Sequence, residues 1–223
     1  MGVMGLLIDS FAAPMFATNC WVIAPAAGGE CIIVDPGMPD ISADIEMIIE
    51  ENNLKPVAAF ITHGHLDHTF SIKPLADGYD IPTYIHSEDR RFIADPSGIH
   101  GPEFIDQLKG IVFEEPLKVN EVKNGATLDL LGMQIEVIHA PGHTKGSVMF
   151  VLNQEILISG DVLFAGSIGR TDLPTGSASD MKSTLKNRVL TLSDELRVLP
   201  GHGPETTIKY ERKNNPYLKE LTS

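Results

Sequence analysis

Basic side chains are scarce in this chain. Only 17 lysines and arginines face 30 aspartates and glutamates, a formal charge of −13, and the first basic residue is Lys55. A phosphate backbone calls for a basic surface, so a nucleic-acid partner is not expected. The apolar start Met1-Gly-Val-Met-Gly-Leu-Leu-Ile8 has no positive segment before it, and Asp9 interrupts it, which argues against a secretory signal. No apolar run is long enough to cross a bilayer. Cysteine is sparser still: Cys20 and Cys31 are the 2 in the chain, without metal-type spacing. They are expected to be buried thiols in a reducing cytoplasm, and the protein's expected partner is a small-molecule substrate rather than a membrane. Low-complexity tracts, linkers and convincing internal repeats are also missing, so residues 1–223 are expected to form one domain. With 43% hydrophobic residues, a chain of this length can bury its own core. Any metal is then needed for chemistry more than for folding.

What is present is an alternation of short apolar runs and helical periods. Leu6 to Phe11 reads as a strand, and Asn19–Ile23 with Cys31–Asp35 as a hairpin turning at Gly28-Gly29. Ile41, Ile45, Ile48 and Ile49 give a helix period, with Asp40 or Ser42 as caps. Val57–Ile61 reads as a buried strand, Ser71–Ala76 as a short helix and Pro82–Ile85 as a strand. Ser87–Ala94 reads as a helix capped by Ser87. Residues 95–118 show no clean period and carry three prolines and three glycines, which marks an insertion or flap of functional length. Two further hairpins are expected, Ala126–Leu131 with Met133–Ile138, and Ser147–Leu152 with Glu155–Ser159. A helix over 179–192, a strand over Leu196–Leu199 and a final helix over Thr206–Asn214 complete the pattern. Hairpins opening both halves, with helices between strands, predict an α/β fold of two mixed sheets packed face to face with helices outside.

Chemistry concentrates in Ile61-Thr-His-Gly-His-Leu-Asp-His-Thr69. Three histidines and an aspartate within six positions after a buried strand are a metal-ligand block, since imidazole is the commonest side-chain metal ligand. If the loop stays extended, His63, His65 and Asp67 share a side and His68 turns away. Three other strand ends repeat the device of a ligand beside glycine. His143 follows Pro141-Gly142, Asp161 follows Gly160, and His202 sits between Gly201 and Gly203. The ligand count reaches seven, enough for two neighbouring cations.

These motifs resemble one family. His63-Gly-His65-Leu-Asp67-His68, Pro141-Gly-His143-Thr, Ser159-Gly-Asp161 and Pro200-Gly-His202-Gly match the metallo-β-lactamase superfamily in order and context, and Asp35-Pro-Gly37 is similar to its early aspartate turn. The resemblance spans nearly the whole chain and implies a four-layer αββα sandwich. It also implies a divided ligand set: His63, His65, His143 and Asp161 for one ion, and Asp67, His68, His202 and Asp161 for the other. Zinc is the expected metal, with iron or manganese compatible.

Gly169-Arg-Thr-Asp-Leu-Pro174 is similar to the short, glyoxalase II-like branch, which implies hydrolysis of 2-hydroxyacyl thioesters. In that reading Asp67 is the catalytic residue that orients the attacking water. The longer glyoxalase II enzymes continue into a helical glutathione-binding region and carry a lysine and a tyrosine after the aspartate. Val162–Ser167 has neither and the chain stops soon after His202, so the thiol is left open between glutathione and another low-molecular-weight carrier. Thr69-Phe70 also stands where many members have glycines. Arg170, Lys145 and Tyr217 are candidate substrate contacts. The bland readings beside them are an Arg170–Asp172 brace and a solvated Lys145; His86, His100 and His139 are read as structural. The alternative activity is a mononuclear iron persulfide dioxygenase, because His63, His143 and Asp161 alone make a two-histidine, one-carboxylate set. A β-lactamase is disfavoured, since the three-histidine lactamases lack an aspartate at the place of Asp161.

Overall fold

The computed structural model describes residues 6–38, 42–108 and 110–222. Two six-stranded sheets are present among them. The first runs in chain order through β1 (Leu7–Ala12), β2 (Asn19–Ala24), β3 (Glu30–Val34), β4 (Lys55–Phe60), β5 (Thr83–His86) and β6 (Val119–Val122). Its β1–β2 and β2–β3 pairs are antiparallel, and β3 to β6 pair in parallel. The second holds β7 (Thr127–Leu130), β8 (Met133–His139), β9 (Val148–Leu152), β10 (Ile156–Gly160), β11 (Arg197–Pro200) and β12 (Thr206–Thr207), in the order β12-β11-β10-β9-β8-β7. Its one parallel pair, β10 with β11, needs a crossover, and the long connection between them supplies it.

Alternation along the central strands builds the layers. On β2, Trp21 and Ile23 point into a core shared with Val137, Phe150 and Ile158 of the second sheet. Cys20, Val22 and Ala24 point the other way, onto Ile45, Ile48 and Ile49. Those isoleucines line one face of α1 (Ser42–Glu51), spaced at three and four residues as a buried helix stripe requires. The second sheet presents Met149, Val151, Leu157 and Val198 to a third cluster with Met181, Leu185, Ile208 and Leu218. Three apolar layers between helix, sheet, sheet and helix are the αββα sandwich. Strands covered on both faces read as unbroken apolar runs, as β2 does.

The hairpin turns follow local stereochemistry. Leu131 and Gly132 both take positive φ, 59° and 70°, as do Asn153 and Gln154, 50° and 58°, which suits two-residue turns between twisted antiparallel strands. The short helices are α2 (Leu66–Thr69), α3 (Ile72–Gly78), α4 (Ser87–Arg90), α5 (Ser97–His100) and α6 (Pro102–Asp106). After β10 come α7 (Ala178–Asn187), α8 (Ile208–Asn214) and α9 (Pro216–Thr222).

Several expectations need correction. The cap of α4 is His86, whose Nδ1 accepts from the Glu88 N–H at 3.3 Å, and Ser87 is already inside the helix. The helix expected over 179–192 ends at Asn187, and a short 3₁₀ turn follows. The stretch 95–118 contains α5 and α6 and a fully buried Ile99, because tertiary contacts supply the apolar partners its sequence period does not. Neither β6 nor α9 was anticipated. Asp40 lies outside the described residues, as does the side chain of Ser42. Cys20 and Cys31 are free and buried, and burial pushes the Cys31 thiol up to about 12.

Phe150 is fully buried between the sheets and meets Phe60 edge-on at 5.1 Å. Phe150→Ala should therefore cost about 3–5 kcal/mol in urea unfolding. Val112→Ala, at an 80% exposed position, should stay within about 0.5 kcal/mol.

Candidate metal centre

Four strand ends meet at one rim of the sandwich. The chain leaves β4 through Ile61 and Thr62 and reaches His63 and His65; His143 follows β8, Asp161 follows β10, and His202 follows β11. Hydrogen bonds across the rim fix their relative heights. Val148 N donates to Thr62 O at 2.9 Å and Asn19 N to Gly201 O at 2.7 Å. The Trp21 indole and the Asn19 amide both donate to Pro200 O, at 3.1 and 3.0 Å.

The loop after β4 does not stay extended. It turns into α2 at Leu66, and this corrects the expectation that His68 faces away: helical geometry brings Asp67 and His68 round to the same site. His65 Nδ1 lies 2.8 Å from His143 Nε2, which lies 3.2 Å from His63 Nε2. On the other side, His68 Nε2 and His202 Nε2 each stand 3.3 Å from Asp67 Oδ2. Asp161 stands between the groups. Its Oδ2 is 3.4 Å from His143 Nε2 and 3.5 Å from His202 Nε2, and its Oδ1 is 3.5 Å from His68 Nε2. All seven residues expected as ligands are thus together.

The outward ring nitrogens decide which inward ones carry lone pairs. His143 Nδ1 faces the Arg170 carbonyl at 2.8 Å; a carbonyl only accepts, so Nδ1 carries the proton. His68 Nδ1 donates likewise to Asp35 Oδ2 at 2.9 Å. Thr62 Oγ1 donates to the same Asp35 oxygen at 2.7 Å, which leaves it to accept from His63 Nδ1 at 3.1 Å. His63 Nε2 and His143 Nε2, 3.2 Å apart, are therefore both bare; they cannot satisfy one another and fit a cation instead. Ligands about 2.0–2.1 Å from zinc at tetrahedral angles stand about 3.3 Å apart, close to the separations here. The donor set further fits because His68 Nε2 and Asp161 Oδ1 are buried without a hydrogen-bond partner. Burial, then the neighbouring imidazoles, hold His63 and His65 well below the usual histidine range, as neutral donors. Burial works against charge on Asp67 and Asp161, but the surrounding histidines outweigh it and lower both carboxyls. Burial likewise pulls His202 down, while Asp161 and Asp67 push it up to about 9.

The candidate substrate residues are placed differently. The Arg170 guanidinium pairs with Asp172 at 2.7 and 2.8 Å in solvent, so this residue meets the site through its carbonyl. Lys145 is exposed, and its carbonyl accepts from His139 Nε2. Tyr217 lines a cavity of about 220 Å³ with Ile168, Met181, Lys182 and Leu185, away from the histidines.

Sequence reasoning passed over Thr18, Thr62 and Asp89, and read His100 as structural only. Thr18 Oγ1 donates to Asp67 Oδ2 at 2.7 Å. His100, from the 95–118 stretch, accepts from Leu66 N at 2.8 Å and lies 5.0 Å from the His65 ring. Thr62 Oγ1 contacts His63 Nδ1, and Asp89 Oδ2 accepts from Gly64 N in the same loop. Among these, an aspartate directly before a basic pair in a short helix is ordinary helix-start chemistry, and no local signal marks it.

An αββα sandwich with a seven-donor histidine–aspartate rim defines a class of metal-dependent proteins. The family described as the metallo-beta-lactamase superfamily matches residues 13–202, and this chain belongs to it. A probable metallo-hydrolase of Bacillus subtilis is 35% identical over 190 residues, covering 85% of this chain and 87% of its own. The hydroxyacylglutathione hydrolase GloC of Haemophilus influenzae is 30% identical over 216 residues, 95% and 97% of the two chains. Among solved structures, the BLEG-1 B3 metallo-beta-lactamase superposes with a TM-score of 0.85 at 33% identity, covering 95% of this chain and 99% of that one. The di-iron-bound form of TTHA1623 gives 0.76 at 31% identity, covering 94% and 100%.

A Cβ on Gly201 would lie 2.2 Å from Asp161 Oδ1 and 2.8 Å from His68 Cε1. Gly201→Ala should weaken zinc binding by at least about tenfold while circular dichroism stays unchanged. Unaltered zinc affinity, measured against a competing chelator, would remove this glycine from the account of the site.

Proposed function

We propose that this protein is a binuclear metallo-hydrolase that cleaves 2-hydroxyacyl thioesters of glutathione or another low-molecular-weight thiol. The observation that carries the reading is Asp161, whose carboxylate stands within 3.5 Å of His143 from one donor group and of His68 and His202 from the other, the place of a carboxylate that two cations would share. Divalent ions held there, zinc by default, supply a water acidified from 15.7 toward about 7 and a Lewis acid for the acyl carbonyl.

The chain's own groups do the rest. Thr18, His68 and His202 all contact Asp67 through Oδ2, which leaves Oδ1 to accept a hydrogen bond from the attacking water and orient it. Asp67 is the only one of the two site carboxylates with appreciable exposure, 17% against 9%, and so is the one a solvent water reaches. The C–S bond breaks with departure of a thiolate, and a thiol of pKa about 8.5 needs no strong general acid. A cytoplasmic setting suits such a thiol carrier and the two unpaired cysteines. The similarity to GloC supports the thioester. The likeness to BLEG-1 supports a second substrate class, β-lactams, whose amide carbonyl presents the same demand for an oriented water. The mononuclear dioxygenase uses three donors and leaves the other four of the gathered set without a task.

Purified protein loaded with zinc should release thiol from a 2-hydroxyacyl thioester, and dipicolinate should stop it. His65→Ala and Asp161→Ala should each lower turnover by more than about 100-fold in a protein that still unfolds cooperatively. A β-lactam is run in parallel on the zinc-loaded protein, and an iron-loaded sample is placed in an oxygen electrode. Preferential lactam opening replaces the thioester by the second class, and oxygen uptake with one iron per chain defeats the hydrolase.

A further inference from the structure

Asp89 is a carboxylate with no solvent exposure at all, set in the first turn of α4. The proposed chemistry gives it nothing to do, yet three donors converge on it from two separate loops. Its Oδ2 accepts from Gly64 N at 2.8 Å and from Thr144 Oγ1 at 2.6 Å, and its Oδ1 accepts from Gly146 N at 2.8 Å. Gly64 lies between His63 and His65, and Thr144 directly follows His143. The three histidines concerned are one complete group of candidate donors, with ligand atoms all within 4.8 Å of one another.

The fit around this carboxylate is close. A Cβ on Gly146 would lie 2.5 Å from Asp89 Cγ, and one on Gly64 would lie 3.1 Å from the Asp89 carbonyl. Ser147 Oγ, 2.7 Å from Thr144 Oγ1, fills the remaining place on that hydroxyl. Each group aimed at Asp89 is an N–H or O–H, so only an acceptor satisfies all of them. An asparagine would turn its NH₂ toward at least one donor.

The other half of the centre is held differently. Asp35 takes His68 and Thr62, all on the first sheet's side of the rim. Asp89 spans the rim, from the loop after β4 in the first sheet to the turn after β8 in the second.

We propose that Asp89 is the positioning residue of the three-histidine half, holding the His63–His65 loop and the His143 turn at the separation one cation requires. This rests on the metal-centre reading above and adds to it a residue, a half-site and a selectivity. The carboxylate touches no substrate and acts through the two loops.

The test uses zinc as the probe and the full chain, titrated against a chromophoric chelator. In a His202→Ala background only the three-histidine half is complete, and adding Asp89→Asn should weaken zinc binding by about 10–100-fold. In a His143→Ala background only the Asp67–His68–His202 half is complete, and the same change should stay within about twofold. Equal weakening of both halves means a general brace, and unchanged affinity of the first half means no role; either overturns the proposal. Should Asp89→Asn not fold, Thr144→Val removes one donor while keeping the shape, and the same selective loss is required of it. A wild-type stoichiometry of one zinc defeats the binuclear reading alone. Asp89 is then judged on that ion, whose affinity must fall in the single Asp89→Asn variant.

Discussion

Lone pairs forced together without hydrogens between them are the constraint on which this structure turns. The Nε2 atoms of His63 and His143 face each other at 3.2 Å, and Asp161 adds oxygens toward His143, His68 and His202. Such an arrangement is repulsive by itself and is held only because every outward ring position given a partner is committed elsewhere. Arg170 O, Asp35 and Thr62 take the protons of His143, His68 and His63. Fixing the outer nitrogen fixes the tautomer, and with it the direction in which each imidazole offers its electrons.

The sandwich exists, in this sense, to bring strand ends to one rim. Neither sheet alone owns the centre: β4 belongs to the first, while β8, β10 and β11 belong to the second. The apolar core between them, with Trp21, Phe60 and Phe150, sets the spacing of the sheets and so the spacing of the ligands. Small residues complete the approach. Gly201 lets the last loop pass against Asp161 and His68, and Gly142, at φ 145°, lets the His143 turn lie against Met181 of α7.

Local chemistry and long-range packing carry different shares of the electrostatics. An acidic chain would be expected to repel its own carboxylates from a buried site, yet Asp67 and Asp161 are both lowered by the histidines around them. Both therefore stay ionised in a buried site, which suits a place that holds a cation.

Sequence alone determined the layers and which side chains gather at the rim. Alternation on β2 and the isoleucine stripe of α1 are consequences of residue order, and a histidine or aspartate beside glycine at a strand end announces itself wherever it falls. The seven donors were legible because four fall in one six-residue block and the other three stand beside glycine at strand ends. What the tertiary structure decided is everything that depends on chain segments far apart meeting. It turned the loop at Leu66 so that His68 faces inward, brought His100 from an aperiodic stretch onto His65, and folded Asp89 across two loops. It also paired Arg170 with Asp172 in solvent and used its carbonyl instead. A side chain's type is written in the sequence, but the partner that fixes its direction comes from another strand, and only packing selects that partner.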